Sequence, residues 1–318
     1  MGNLPAFVEF REEGPREGFQ IEKRRFSLEA RAKVIDALSE TGLKQIQVAS
    51  FVSPKAVPSM ADAEELFKAI NPREGIRYTG VWLNKRGFER IVELPEAYLY
   101  GKMVLYTTDE FCLMNNNCTA GEMQQKELDF LNVYDSYDLP LEDAYILTAF
   151  GCNLSGEVPL STVIDCVKFI TGVCQNQSRP LPNIYLADTV GWANPEEIKR
   201  RIEAVRDTAP GVRLGLHLHD TRGLGAANFY AALQMGIDLF DSSVAGLGGC
   251  PFAGHKNSNA AGNICTEDMV FMCHELGIET GIDLEKLIAA AGLTEEIIGR
   301  TLPGKIMHSG PLSTLRKR

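Results

Sequence analysis

None of the eight cysteines (112, 118, 152, 166, 174, 250, 265 and 273) stands in a CxxC pair, which excludes zinc-ribbon and thioredoxin-like readings. The opening MGNLPAFVEF has no basic segment followed by an apolar core. No secretory leader is therefore expected, and the thiols should be reduced in a cytoplasmic protein. Met-Gly-Asn lacks the Ser or Thr of a myristoylation signal, since Ala6 stands in that place. No apolar run approaches the roughly 18 residues of a membrane span, so no membrane partner is expected. Basic residues are in deficit, 32 Lys and Arg against 42 Asp and Glu, for a formal net charge of −10. That balance argues against a nucleic-acid partner, which would want a basic face. GxGxxG and Walker patterns are absent, and with them the usual phosphate-cradling turns.

Histidine is also scarce, yet two of the five (217, 219, 255, 274 and 308) stand two residues apart. They close the run RLGLHLHDT at 213–221, in which Leu214, Leu216 and Leu218 alternate. On a β-strand, residues at i and i+2 share a face, so His217 and His219 are placed side by side. Two imidazoles so placed can grip one metal ion, and they can equally be two core or surface histidines sharing a strand.

At 318 residues, with 45% hydrophobic and 23% charged, the chain is an ordinary globular protein with room for a large core. Strands are expected at 7–10, 45–51, 76–82, 99–106, 144–150, 183–189, 213–220 and 239–247. Helices are expected near 27–41, 61–70, 84–94, 119–137, 157–176, 195–208, 223–235 and 264–276. Ser27 reads as a helix cap ahead of Ala30, Val34 and Leu38, and Asn194-Pro195-Glu196-Glu197 as a cap, an N1 proline and a first acidic turn. Eight β-then-α units in series predict an α/β fold, a (β/α)8 TIM barrel over 1–280. Leu284, Ile288 and Ile297 continue at helical spacing, so 281–318 is expected to be a helical extension ending in a mobile STLRKR tail. In such a barrel the chemistry sits at the C-terminal strand ends. Topology collects there Arg11, Arg16, Glu17 and Gln20; Gln47, Ser50 and Lys55; Cys152 and Asn153; Asp188 and Thr189; His217, His219 and Asp220; and Cys250. Any one of them can instead be a rim group.

The segments EGPREGFQIEKR (13–24), SFVSPKAVPSM (50–60), AFGC (149–152), DTVG (188–191), HLHDTRGLGAAN (217–228), DSSVAGLGGCPFA (241–253) and GNICTED (262–268) resemble the 3-hydroxy-3-methylglutaryl-CoA lyase family. That family lies within the metal-dependent barrel superfamily of lyases and synthases, and the resemblance runs from about residue 6 to residue 284. It implies a lyase that breaks a carbon–carbon bond of an acyl-CoA to release acetyl-CoA and a 3-oxoacid. It implies Mg²⁺ or Mn²⁺ held by His217, His219, Asn263 and Glu17, and Arg16 facing the thioester enolate oxygen. Cys250 would sit on a closing glycine-rich loop and move a proton. Gln20, Gln47, Ser50 and Thr189 are the candidate substrate contacts. A homodimer is expected from the resemblance alone.

Three departures from the family stand out. Glu17 replaces an aspartate ligand and is one methylene longer. Gln47 replaces a glutamate, so a charge beside the site is expected to be lost. The loop between Cys250 and Asn263 is longer than usual and carries His255 and Lys256. These changes make other acyl-CoA substrates, such as citramalyl-CoA, an alternative, and an altered acyl-CoA-binding paralogue another. A synthase is disfavoured because only 281–318 follows the barrel, where synthases carry a long regulatory domain. A lysine aldolase is disfavoured because IYLADT has no lysine, which leaves Lys102 as the strand-borne candidate.

Overall fold

The computed structural model describes residues 4–249 and 262–316. Its eight strands are β1 (Glu9–Glu12), β2 (Gln45–Ser50), β3 (Arg77–Val81), β4 (Gly101–Tyr106), β5 (Leu141–Leu147), β6 (Asn183–Ala187), β7 (Leu214–His217) and β8 (Leu239–Ser242). The chain forms two compact units, one built from 6–99, 240–249 and 262–316 and the other from 4–5 and 100–239.

In the first unit the strands lie in the order β3-β2-β1-β8, with β1, β2 and β3 parallel. All six residues of β2 are buried, as expected for a parallel strand covered on both faces. Helix Leu28–Ser39 begins where the sequence places it, with the Ser27 hydroxyl accepting from Ala30 N at 3.1 Å. Its Val34, Ile35 and Leu38 are fully buried. Helix Leu284–Ile298 packs on Leu28–Ser39 and on Thr266–Glu275. The tail does not trail off at Ser313: residues Ser313–Arg316 form a helical turn in which Arg316 pairs with Glu275 at 2.6 Å.

In the second unit the order is β7-β6-β5-β4, all parallel. Tyr145 and Tyr185 stack on neighbouring strands, with centroids 4.4 Å apart and planes 10° apart. Gly215 on β7 makes room for that stack, because a Cβ there would come within 2.5 Å of the Tyr185 ring. Helix Pro195–Thr208 starts as expected, with Asn194 Oδ1 accepting from Glu196 N and Glu197 N. Helix Ala120–Ser136 opens on a Thr119/Glu122 capping box.

Five elements differ locally from the sequence reading. β5 spans Leu141–Leu147 rather than 144–150, because Thr148 turns into the left-handed region (φ 54°) and ends it. β7 stops at His217 and β8 at Ser242, so the polar residues after them lie on loops. Helix Asp109–Asn116 is short and ends at Asn117 in the left-handed conformation, which leaves little periodicity to read. Gly14–Ile21 is a helix as well, with Pro15 in its first turn, so Arg16, Glu17 and Gln20 are helical rather than strand-end residues.

Candidate active site

In the first unit, the site is built on the turn from β1 into helix Gly14–Ile21. Glu13 N donates to Ser242 O at 2.9 Å, and the Glu13 carbonyl accepts from Arg16 N and Glu17 N. The turn is thereby tied to β8, and Arg16 follows one residue after the rigid Pro15. The Arg16 guanidinium donates from Nη2 to Glu13 Oε2 at 2.6 Å and lies 3.1 Å from Glu17 Oε1. From Nε it donates to Gln47 Oε1 on β2. The Gln47 amide in turn donates from Nε2 to Glu13 Oε1 at 2.7 Å. Desolvation is the largest single influence on Arg16 and works to lower its pKa. The charges of Glu17 and Glu13 outweigh it, and the pKa is raised.

Glu17, on the same helix, accepts on Oε2 from the Asn263 side-chain nitrogen. Asn263 reaches it because two stretches of chain cross closely after β8. Gly248 (φ 95°) has no room for a Cβ, which would meet Glu17 Cβ at 2.8 Å, and a Cβ on Gly262 would overlap the Gly248 carbonyl. With its nitrogen on Glu17, Asn263 keeps a buried Oδ1 that has no hydrogen-bond partner among the described residues. A buried carbonyl oxygen without a donor is costly in a finished interior and suits a hard divalent cation. Ser50 donates to Gln20 Oε1 at 2.8 Å, so these two expected substrate contacts meet each other.

Beneath this cluster, Glu12 accepts from Gly14 N and Val244 N, both at 2.8 Å, and from the Thr266 hydroxyl at 2.6 Å. Glu267 accepts from Ala245 N at 3.0 Å. Burial raises Glu12 to about 7 and Glu267 to about 8. These two acids brace the loop that follows β8, and the sequence reading missed them. The only available sign was a carboxylate at the buried end of a strand and another in the first turn of a helix.

In the second unit, His217 ends β7 and its carbonyl accepts from Asp188 N at 2.8 Å. The His217 and His219 rings lie side by side with centroids 5.0 Å apart, as the i, i+2 spacing predicts. His219 Nδ1 is 2.8 Å from the Asp188 carbonyl oxygen. A carbonyl only accepts, so in the neutral ring Nδ1 holds the proton and Nε2 holds the lone pair, the tautomer a metal ligand needs. The Asp188 carboxylate serves the backbone, accepting from Trp192 N at 2.6 Å and Ala193 N at 3.1 Å, and burial raises it to about 6. Thr189 Oγ1 accepts from Thr148 N at 2.8 Å, while Asp220 caps helix Gly225–Gln234 through Gly225 N at 2.7 Å. Asn153 accepts from the Trp192 indole at 2.7 Å, and Cys152 is buried.

Several other expected mouth residues are engaged elsewhere or lie outward. Arg11 is buried against Glu9 at 3.3 Å, and Lys55 is exposed. Lys102, the strand-borne lysine of the disfavoured aldolase reading, lies over the Tyr100 ring, 4.6 Å from its centroid. Cys250, His255 and Lys256 lie outside the described residues.

The model of the family described as HMGL-like matches residues 8–293. The human mitochondrial hydroxymethylglutaryl-CoA lyase is 38% identical over 312 residues, which is 97% of this chain and 91% of that protein. The crystal structure of hydroxymethylglutaryl-CoA lyase from Pseudomonas aeruginosa superposes with a TM-score of 0.86 at 32% identity, covering 99% of both chains. An HMG-CoA lyase from Acinetobacter baumannii, solved in complex with coenzyme A and 3-methylmalate, gives 0.85 at 34% identity, covering 98% of this chain and 97% of that one. The fold class is accordingly the α/β TIM barrel that the eight βα units predict. Among the described residues, no helix is long and apolar enough to cross a membrane.

Proposed function

The chain belongs to the HMGL-like family, and from that premise we propose that it cleaves 3-hydroxy-3-methylglutaryl-CoA to acetyl-CoA and acetoacetate. His217, His219, Glu17 and Asn263 hold Mg²⁺ or Mn²⁺ in this reading. The observation that carries it is the Asn263 side chain, whose nitrogen is fixed on Glu17 while its buried oxygen lacks a donor. The His219 tautomer, set by the Asp188 carbonyl, supports the same assignment. Imidazole nitrogen with carboxylate and amide oxygen suits either ion and leaves positions for substrate.

In a retro-Claisen cleavage the tertiary hydroxyl gives up its proton to solvent, the carbon–carbon bond breaks as the ketone forms, and its electrons enter the thioester enolate. A bound divalent ion supplies Lewis acidity that lowers the pKa of that hydroxyl. Arg16, held by Glu13 and Gln47, presents a fixed positive charge to the enolate oxygen, where charge develops in the transition state. The Cys250 thiol then delivers the proton that turns the enolate carbon into the methyl of acetyl-CoA. Gln20, Gln47, Ser50 and Thr189 line the acyl end in this reading. Residues 1–280 form the catalytic barrel and 281–318 its helical extension, in a cytoplasmic homodimer.

A second reading rests on Glu17 and Gln47, which depart from the family pattern beside the acyl group: cleavage of another 3-hydroxyacyl-CoA such as citramalyl-CoA. Purified protein reconstituted with Mg²⁺ or Mn²⁺ and offered each substrate, with acetyl-CoA release as readout, separates the two. Release from 3-hydroxy-3-methylglutaryl-CoA supports the first. Release from citramalyl-CoA alone supports the second, and release from neither overturns both.

A further inference from the structure

Taken alone, Gln47 implies a lost carboxylate beside Arg16. The structure shows that carboxylate arriving from a different element. Glu13, in the turn before helix Gly14–Ile21, accepts from Arg16 Nη2 at 2.6 Å on one oxygen and from Gln47 Nε2 at 2.7 Å on the other. Gln47 Oε1 accepts from Arg16 Nε. These three bonds close a ring in which each member fixes the other two. Glu13 and Gln47 are 5% and 4% exposed, respectively, so the ring is shielded from water and its charge-assisted bonds keep their strength.

We infer that Glu13 is the positioning residue for Arg16, having taken over the charge that a glutamate at 47 would carry, with Gln47 as a neutral bridge between them. This inference rests on the lyase reading for its kinetic consequence. A glutamine at 47 suits the bridge better than a carboxylate would. It donates to Glu13 and accepts from Arg16 at once, whereas a second acid there would face Glu13 with no proton between them. Two carboxylates, Glu13 and Glu17, flank the guanidinium. The ring holds the planar fork in one orientation, so the expected effect of losing it falls on kcat, where the enolate forms, more than on KM.

The test uses the full-length, metal-loaded protein and the variants Glu13→Gln, Gln47→Glu and Glu13→Gln/Gln47→Glu. Glu13→Gln should lower kcat by about 10- to 100-fold, the scale of a misplaced catalytic group, with KM changed less than about threefold. The double variant, which moves the acid back to 47, should recover to within about threefold of the parent kcat, as a reciprocal swap within one coupled network allows. If Glu13→Gln fails to fold, Glu13→Asp, which retains the charge on a shorter arm, should show the kcat loss in milder form. A ¹⁵N NMR measurement reads the ring without turnover. The Arg16 Nε–H signal, assigned by its loss in Arg16→Lys, should be protected from exchange in the parent, lost in Glu13→Gln and restored in the double variant. Parent-like kcat and parent-like protection in Glu13→Gln overturn the inference, and so does a double variant no better than Glu13→Gln. A parent with a protected Nε–H that turns over no acyl-CoA overturns the lyase reading and leaves the ring standing.

Discussion

Asn263 donates its side-chain nitrogen to Glu17 and turns its carbonyl oxygen into a buried place with no donor. The two residues are thereby oriented as a pair. Removing the amide should remove one oxygen ligand and release the other. Asn263→Ala is expected to weaken Mn²⁺ binding by about 10- to 100-fold, measured by calorimetric titration of metal-free protein. An unchanged affinity would remove Asn263 from the ligand set.

Arg16 is held by three contacts from two of its nitrogens, Nη2 to Glu13 and Glu17 and Nε to Gln47. A lysine supplies the charge without the planar fork. Arg16→Lys should therefore lower kcat by about 10²- to 10³-fold with Mn²⁺ affinity retained. Steady-state kinetics beside metal titration read both quantities, and a loss confined to KM would argue that Arg16 binds substrate without favouring the transition state.

Glu12 and Glu267 give the fold a defined pH dependence. Burial raises their folded values to about 7 and about 8, from an ordinary 4.5. Between those limits the folded state holds protons that the unfolded state has released, so stability falls as pH rises from about 4.5 to about 8. Glu267→Gln removes one such group and should flatten that fall, as read from thermal midpoints across the range. A slope as steep as the parent's would show that Glu267 carries no such proton.

Gly215 makes a prediction about packing alone. A methyl there would press on Tyr185 in its stack with Tyr145. Gly215→Ala should destabilise the protein by about 1–3 kcal/mol, measured by denaturant unfolding, and a neutral result would mean that the tyrosine pair shifts freely.

The strand and helix series was legible in the sequence because burial imposes periodicity. Parallel strands such as QIQVAS are buried throughout, and helices such as Pro195–Thr208 carry both a cap and an apolar stripe. The histidine pair was legible because i, i+2 spacing in extended chain brings two rings together, although β7 itself ends at His217. Helix Gly14–Ile21 was not, since a glycine and a proline open its eight residues and an apolar stripe has little length in which to repeat. Glu13 escaped notice for a related reason. Its partners, Arg16 and Gln47, are three and 34 residues away, and only the pairing of β1 with β2 brings the more distant one beside it. The substitution at Gln47 was visible, but its consequence was not, because the compensating charge lies on another element. Glu12 and Glu267 were hidden likewise: a buried acid bound to backbone amides leaves no pattern in the chain.

The most direct test is a titration of metal-free protein with Mn²⁺ while acetyl-CoA release from 3-hydroxy-3-methylglutaryl-CoA is followed, with His217→Ala alongside. The account predicts no release without metal, a rise that saturates at one equivalent per chain, and no rise in the variant. Full release from metal-free protein, or an unaffected His217→Ala, would contradict it.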